Sequence, residues 1–362
     1  MKKLIRATMI IAFTVIAALI IQADVVKAID VAKDPRAVPR SPLGDVTVNL
    51  DAVEVVADLA PGKSAWVWTF ALHGGKPTVP GPMVRVREGN HVTINLCNIG
   101  GNIEPHNIDF HASMGPGGGA AVTNVAPGEC QTLKFKALRQ GAYIYHCAGE
   151  GMPWEHVSYG MYGLIQVDPP GGLEPGFKEF YVGQSDWYLK VDETLNEEKG
   201  LPAGTYTLDE ERALDELPNM YSFNGHIAAL ADPALYGDAI VSNQDDKVRF
   251  FFVTGGPNKG SNWHIIGTIF DKVYTGSRTT PVLNEETVYV APGSAAVFEL
   301  ITPMPGRYLL VDHALWRVPQ GAAGFLHVKG HPSPTCDASG NVLDPGSWPF
   351  DIFSPATCTS GH

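Results

Sequence analysis

The strongest constraint on how this chain folds is that part of it is written twice. Val125-Ala126-Pro127-Gly128 returns as Val290-Ala291-Pro292-Gly293, and the same offset of 165 carries Gly141-Ala142-Tyr143 onto Gly306-Arg307-Tyr308. Gly160-Met161-Tyr162-Gly163 matches Gly321-Ala322-Ala323-Gly324 at an offset of 161, so one loop differs by four residues between the copies. A repeat of this span sets the architecture before any motif is interpreted. It predicts two copies of one fold, at about residues 40–168 and 177–330, followed by a tail at 331–362. The copies are joined through Asp168-Pro169-Pro170-Gly171-Gly172, a linker punctuated by two prolines and two glycines.

Within the copies, short β-type runs such as Val84-Arg85-Val86, His91–Leu96, Thr132–Phe135 and Tyr143-Ile144-Tyr145 are separated by Gly, Pro and Asn. Few stretches carry a 3.6-residue apolar period, so the expected class is all-β, a sandwich or barrel. The exception is about Thr207–Leu217, rich in Glu, Leu and Arg, which predicts a short helix in the second half.

Lys2, Lys3 and Arg6 precede an apolar run to about Ile21, and Val26-Lys27-Ala28 offers a cleavage site, so residues 1–28 read as a secretory signal peptide. No later stretch approaches the roughly 20 apolar residues of a spanning helix, so no membrane span is expected in the mature form. The expected location is periplasmic or extracellular. Losing residues 1–28 removes Lys2, Lys3, Arg6 and Lys27 against Asp24, taking the formal charge from -12 to -15. So acidic a body argues against nucleic acid as a partner.

An exported chain can keep disulfides. It has five cysteines, and if Cys147 is committed to metal, the remaining four allow three pairings, of which Cys97–Cys130 with Cys336–Cys358 is the most local. The commitment of Cys147 follows from its neighbours. His106, Cys147, His156 and Met161 supply two imidazoles, a thiolate and a weak thioether, the ligand set of a blue-copper electron-transfer site. Met152 is a competitor for the thioether position. The second copy has Asp312, Arg317 and Ala322 where the first has Cys147, His156 and Met161, so it has lost this site, although His264 still matches His106.

Further histidines remain in the first copy. Strand alternation along Pro105–His111 sends Asp109 and His111 to one face and His106 to the other, and the adjacent His146 and Cys147 point to opposite faces. Asp109, His111 and His146 therefore face a different site. Three imidazoles around an open position make a catalytic metal centre, and His313 from a second barrel would complete the set. His73, His91, His226, His327, His331 and His362 read as surface or structural residues. Gly115–Gly119 lacks a following Gly-Lys-Ser/Thr and reads as a loop without a phosphate-cradling role.

Taken together, Pro105–His111 (PHNIDFH), Gly115–Ala121 (GPGGGAA), Tyr145-His146-Cys147-Ala148, the following His156 and Met161, Trp263–Gly267 (WHIIG) and Val311-Asp312-His313 resemble the two-domain copper-containing nitrite reductases over nearly the whole mature chain. The resemblance implies two tandem Greek-key cupredoxin-like β-barrels in a homotrimer, with one type 1 and one type 2 copper per subunit. It implies His106, Cys147, His156 and Met161 as type 1 ligands, with His111 and His146 joined by His313 of the neighbouring subunit at type 2. By the same resemblance Asp109 and His264 are the acid–base pair, Ile266 shapes the nitrite pocket, and the electron comes from a small cupredoxin or a cytochrome c. One interval departs from many members: Pro153-Trp154-Glu155-His156 has a Glu between Trp and His.

Two other functions compete. A laccase-like multicopper oxidase needs several His-x-His pairs, and this chain has none. A non-catalytic blue-copper electron carrier would leave Asp109, His111, His146, His264 and His313 without a role.

Overall fold

The computed structural model describes residues 28–277 and 279–330, with 335–336, 339 and 342–344. The expected signal segment, apart from Ala28, and the expected partner Cys358 lie outside the described residues. The all-β expectation holds: strands build two sandwiches of two sheets each. No helix among the described residues is long and apolar enough to cross a membrane.

In the first sandwich, Val46–Ala60 pairs antiparallel with Lys63–Leu72 and parallel with His91–Asn98, which pairs in turn with Cys130–Lys136. The facing sheet runs Val84–Arg87, Tyr162–Asp168, Gly141–His146, Asp109–Phe110. His91–Asn98 shows how sequence sets the layer: Val92, Ile94 and Leu96 are buried while the residues between them are partly or wholly open. Cys97 and Cys130 lie opposite each other in this ladder and form the expected disulfide.

The second sandwich has a six-stranded sheet around Phe177–Trp187, Lys247–Gly256 and Ser294–Ile301. Its five-stranded partner includes Ser261–Ile265, Gly306–Asp312 and Ala323–Lys329. The run Phe250–Val253 is apolar throughout because it is buried on both faces. Phe250 and Phe252 fill the second sandwich's core, whereas Phe251 and Val253 join Ala57, Val67, Ile144 and Leu164 of the first sandwich in a third core between the two. The same join holds buried charges: Arg85 meets Asp168 and Glu179, and Arg249 meets Glu179 and Glu299.

Three short helices matter for the site. The expected helix at about Thr207–Leu217 is shorter, Glu210–Leu214, capped by Asp209 accepting from the Arg212 N–H. Tyr206–Leu208 before it is a strand that pairs with Leu189–Val191 and touches Lys63–Leu72, extending the first sandwich's sheet. Glu193–Lys199 is a second helix, started by the Asp192 cap and stopped at Gly200 in the left-handed region. Pro153–Ser158 is the third; its leading proline suits a first turn, where the missing N–H has no partner to lose.

Candidate metal centres

The strand Gly141–His146 organises both centres. Its alternate residues Ala142 and Ile144 pack into the core between the sandwiches, while Tyr145 and the following Cys147 turn into the first sandwich. His146 therefore points away from Cys147, as strand alternation requires.

Cys147 is fully buried, is the free cysteine among those described, and receives the Asn107 N–H at 3.2 Å. The Asn107 side-chain oxygen accepts the Ala148 N–H at 2.6 Å, fixing the chain on both sides of the sulfur. Around Sγ stand His156 Nδ1 at 3.2 Å and His106 Nδ1 at 3.8 Å, and the two Nδ1 atoms are 3.2 Å apart. His156 reaches this point from the helix Pro153–Ser158, so the additional Glu155 is taken up in a helical turn. Gly149 passes under its ring: a Cβ there would come within 2.5 Å of His156 Cε1. Met161 is buried in the same core cluster as Cys147, and its carbonyl accepts the Cys147 N–H at 3.1 Å. Met152 instead stands at the start of the helix and lines a cleft of about 520 Å³ with Trp66, Glu104, Glu155 and His156.

Burial pushes the Cys147 thiol up to about 12 and the His156 imidazole down to about 3. Burial thus favours the neutral forms of both the Cys147 thiol and the His156 imidazole, which meet at 3.2 Å, with His106 beside them. This donor set fits a soft transition ion such as copper, which displaces the thiol proton on binding.

The second group lies on the other face. His111 Nε2 and His146 Nε2 are 3.1 Å apart, and Asp109 has a carboxylate oxygen in the same cluster, all ligand atoms being within 4.8 Å of one another. His146 Nδ1 donates to the Cys147 carbonyl at 2.9 Å, which leaves Nε2 free to bind a metal. Desolvation lowers the His111 pKa, the neighbouring His146 lowers it further, and Asp109 opposes both, although the residue as a whole is exposed. Asp109 rests against the backbone of Gly118 in the glycine-rich segment, where a Cβ would strike its carboxylate.

His313 belongs to neither group among the described residues of one chain. It is exposed at the end of Gly306–Asp312, with its ring centroid 5.3 Å from that of His264. His264 is almost buried, and its Nδ1 bonds the Glu286 carbonyl. Ile266 follows it at 44% exposure. At the position matching Cys147, the second sandwich has the buried Asp312 carboxylate, held by Arg317 at 2.6 Å and Gln184 at 2.9 Å. An ion pair between the very residues that replace Cys147 and His156 occupies the lost site.

Sequence reasoning missed Asn107, Glu54, Trp68 and the part played by Gly118. Asn107 lies inside the PHNIDFH motif and was findable there; Trp68, packed against both His106 and His156, reads as an ordinary buried strand residue.

A family profile for multicopper oxidases matches residues 60–172. The chain is 40% identical over 302 residues to a copper-containing nitrite reductase of Neisseria meningitidis, covering 83% of this chain and 74% of that one. It is 36% identical over 266 residues to that of Neorhizobium galegae, covering 70% and 68%. Among solved structures, a copper nitrite reductase from Nitrosomonas europaea superposes with a TM-score of 0.65 at 26% identity, over 80% of this chain and 95% of that one. A multicopper oxidase at 22% identity and a TM-score of 0.64, over 83% and 98% of the two chains, shares the fold. With identity of this level running across both sandwiches, the chain belongs to the copper-containing nitrite reductases.

Proposed function

We propose that the protein reduces nitrite to nitric oxide and water at two copper centres, one type 1 and one type 2 per subunit. The balance is one nitrite, one electron and two protons in, one nitric oxide and one water out. His106, Cys147, His156 and Met161 hold the type 1 ion. His111 and His146 hold the type 2 ion together with His313 of the neighbouring subunit, and the repeats at about 40–168 and 177–330 form the two cupredoxin domains. When bound, copper supplies the one-electron chemistry that these side chains lack, accepting the electron at one centre and binding nitrite at the other.

The observation that carries this reading is the divergence of His146 and Cys147. Neighbours in sequence belong to two separate donor groups, so a single peptide unit links the site of electron uptake to the site of reduction. The chain's own residues supply the rest. Asp109, beside His111, and His264 are the proton-handling pair, a carboxylate and an imidazole being suited to deliver the two protons. Ile266 forms an apolar wall of the nitrite pocket.

The incomplete set of imidazoles around His111 and His146 favours a homotrimer, in which each site is closed by a neighbour. The exposed Ile266, Ile269, Leu315 and Trp316 flanking His264 and His313 favour the same assembly, since apolar surface of this kind marks an interface. The donor is a small cupredoxin or a cytochrome c. The cleft beside His156 carries six carboxylates, Glu104, Glu150, Glu155, Asp192, Glu198 and Glu210, against two lysines, Lys190 and Lys199, an acidic balance that suits a donor with a basic face. The basic-then-apolar leader at residues 1–28 supports export to a periplasmic or extracellular location, with denitrification as the process served. Copper per chain, determined with the thiolate-to-copper absorption, tests the assignment: two ions per chain and a visible band are expected, and one ion or no band contradicts it.

A further inference from the structure

We propose that Glu54 is a positioning residue for His106 and holds the reduction potential of the thiolate-bound copper low. The inference rests on the type 1 reading above. Glu54 lies on Val46–Ala60, directly across the ladder from Trp68, and its side chain is only 3% exposed. One of its oxygens, Oε1, accepts three N–H groups: Ile103 N at 3.1 Å, Glu104 N at 2.8 Å and His106 Nε2 at 3.1 Å. The other oxygen is buried without a hydrogen-bond partner. Glu54 forms no ion pair with a Lys or Arg among the described residues; the nearby Lys199 pairs with Glu104 at 2.7 Å.

Two consequences follow from this geometry. The first concerns the tautomer. With its Nε2–H donating to Glu54 Oε1, His106 presents the bare lone pair of Nδ1, the atom that faces Cys147 and His156. A carboxylate behind a metal-binding imidazole fixes ring orientation and raises the basicity of the ligand. The Ile103 and Glu104 bonds tie the loop that leads into His106 to the same oxygen, so one side chain sets both the backbone approach and the ring.

The second consequence concerns charge. A divalent copper with one thiolate and two neutral imidazoles carries a net charge of +1, and its reduced form is neutral. Adding the Glu54 carboxylate makes these 0 and -1. In a buried site a fixed negative charge favours the more positive, oxidised ion. Glu54 therefore lowers the potential, weakening uptake from the donor and strengthening onward transfer to nitrite. Among the described residues no carboxylate bonds to His156, which lines the cleft beside Glu155 instead.

The test uses the full copper-loaded protein. Glu54→Gln keeps an oxygen to accept the three N–H groups but removes the charge, and the potential is read by spectroelectrochemical titration of the thiolate band. The band should persist and its midpoint should rise, with slower reoxidation of the reduced centre by nitrite. An intact band with an unchanged or lower midpoint overturns the proposal. A wild-type protein without the band refutes the type 1 reading itself, which separates the two failures. Should Glu54→Gln not fold, nitrogen-15 histidine spectra of the wild-type cuprous protein decide the matter. His106 protonated at Nε2, with the coupling of a strong hydrogen bond, supports the role, and protonation at Nδ1 overturns it.

Discussion

Gly118→Ala is the substitution that most sharply separates proton handling from metal binding. Gly118 is at φ +52°, in the left-handed region, and an added Cβ would lie 1.9 Å from the Asp109 Oδ1, 2.9 Å from its Cγ and 3.0 Å from the Phe110 carbonyl oxygen. Non-bonded heavy atoms rest at roughly 3.5 Å or more, so the carboxylate must retreat by about 1.5 Å. The Phe110 backbone blocks relief in the other direction. A misplacement of about 1 Å costs on the order of a hundredfold in rate, or about 2.7 kcal/mol of transition-state stabilisation. The left-handed backbone adds roughly 1–3 kcal/mol of destabilisation as a separate effect. We expect a folded variant with lower Tm, both coppers bound, an unaltered thiolate band and nitrite turnover reduced about a hundredfold. Metal analysis, the absorption spectrum, thermal unfolding and steady-state nitrite reduction on one preparation measure all four. The double variant with Asp109→Asn should lose little more than the worse single variant, because both act through one carboxylate. Wild-type turnover in Gly118→Ala, or fully additive losses in the double variant, refutes the reasoning.

Cys147→Ala should abolish the visible band and leave type 2 copper bound, because the two groups use opposite sides of one strand; a persistent band on optical titration overturns the assignment. His313→Ala should do the reverse, removing type 2 copper and activity while the band survives, and full activity would exclude the second sandwich from the site. Asp109→Asn should keep both coppers and normal reduction of the thiolate centre by an artificial donor, yet lose roughly a hundredfold in nitrite turnover, the scale of a positioned acid–base group. An unchanged rate and pH profile in that variant would contradict its role, and loss of type 2 copper would make it structural support for His111.

The parts of the molecule legible in the sequence are those governed by local periodicity or by an ordered set of donor types. The run His91–Leu96 is legible as a strand from its composition, and the alternation around His146-Cys147 separates the two donor groups. The helices were less legible. Pro153–Ser158 and Glu193–Lys199 are six and seven residues long, too short for an apolar stripe, and exist because of a leading proline or a capping Asp192. Thr207 and Leu208 fall inside the helix expected at about Thr207–Leu217, whereas they belong to the strand Tyr206–Leu208, whose pairing with Leu189–Val191 overrides the composition. Glu54 was not legible at all. It lies 52 residues before His106, and only the fold brings its carboxylate behind that imidazole. The Asp312–Arg317 pair was visible as a substitution of ligands, but its role as an ion pair in the vacated position needed the buried geometry.

The central claim is the chemistry, and nitric oxide measured against electrons supplied tests it most directly. Purified, copper-loaded protein given nitrite and a one-electron donor without oxygen should form one nitric oxide per electron consumed, with nitrite lost in equal amount. Consumption of the donor without nitric oxide, or activity that requires oxygen in place of nitrite, would contradict the account.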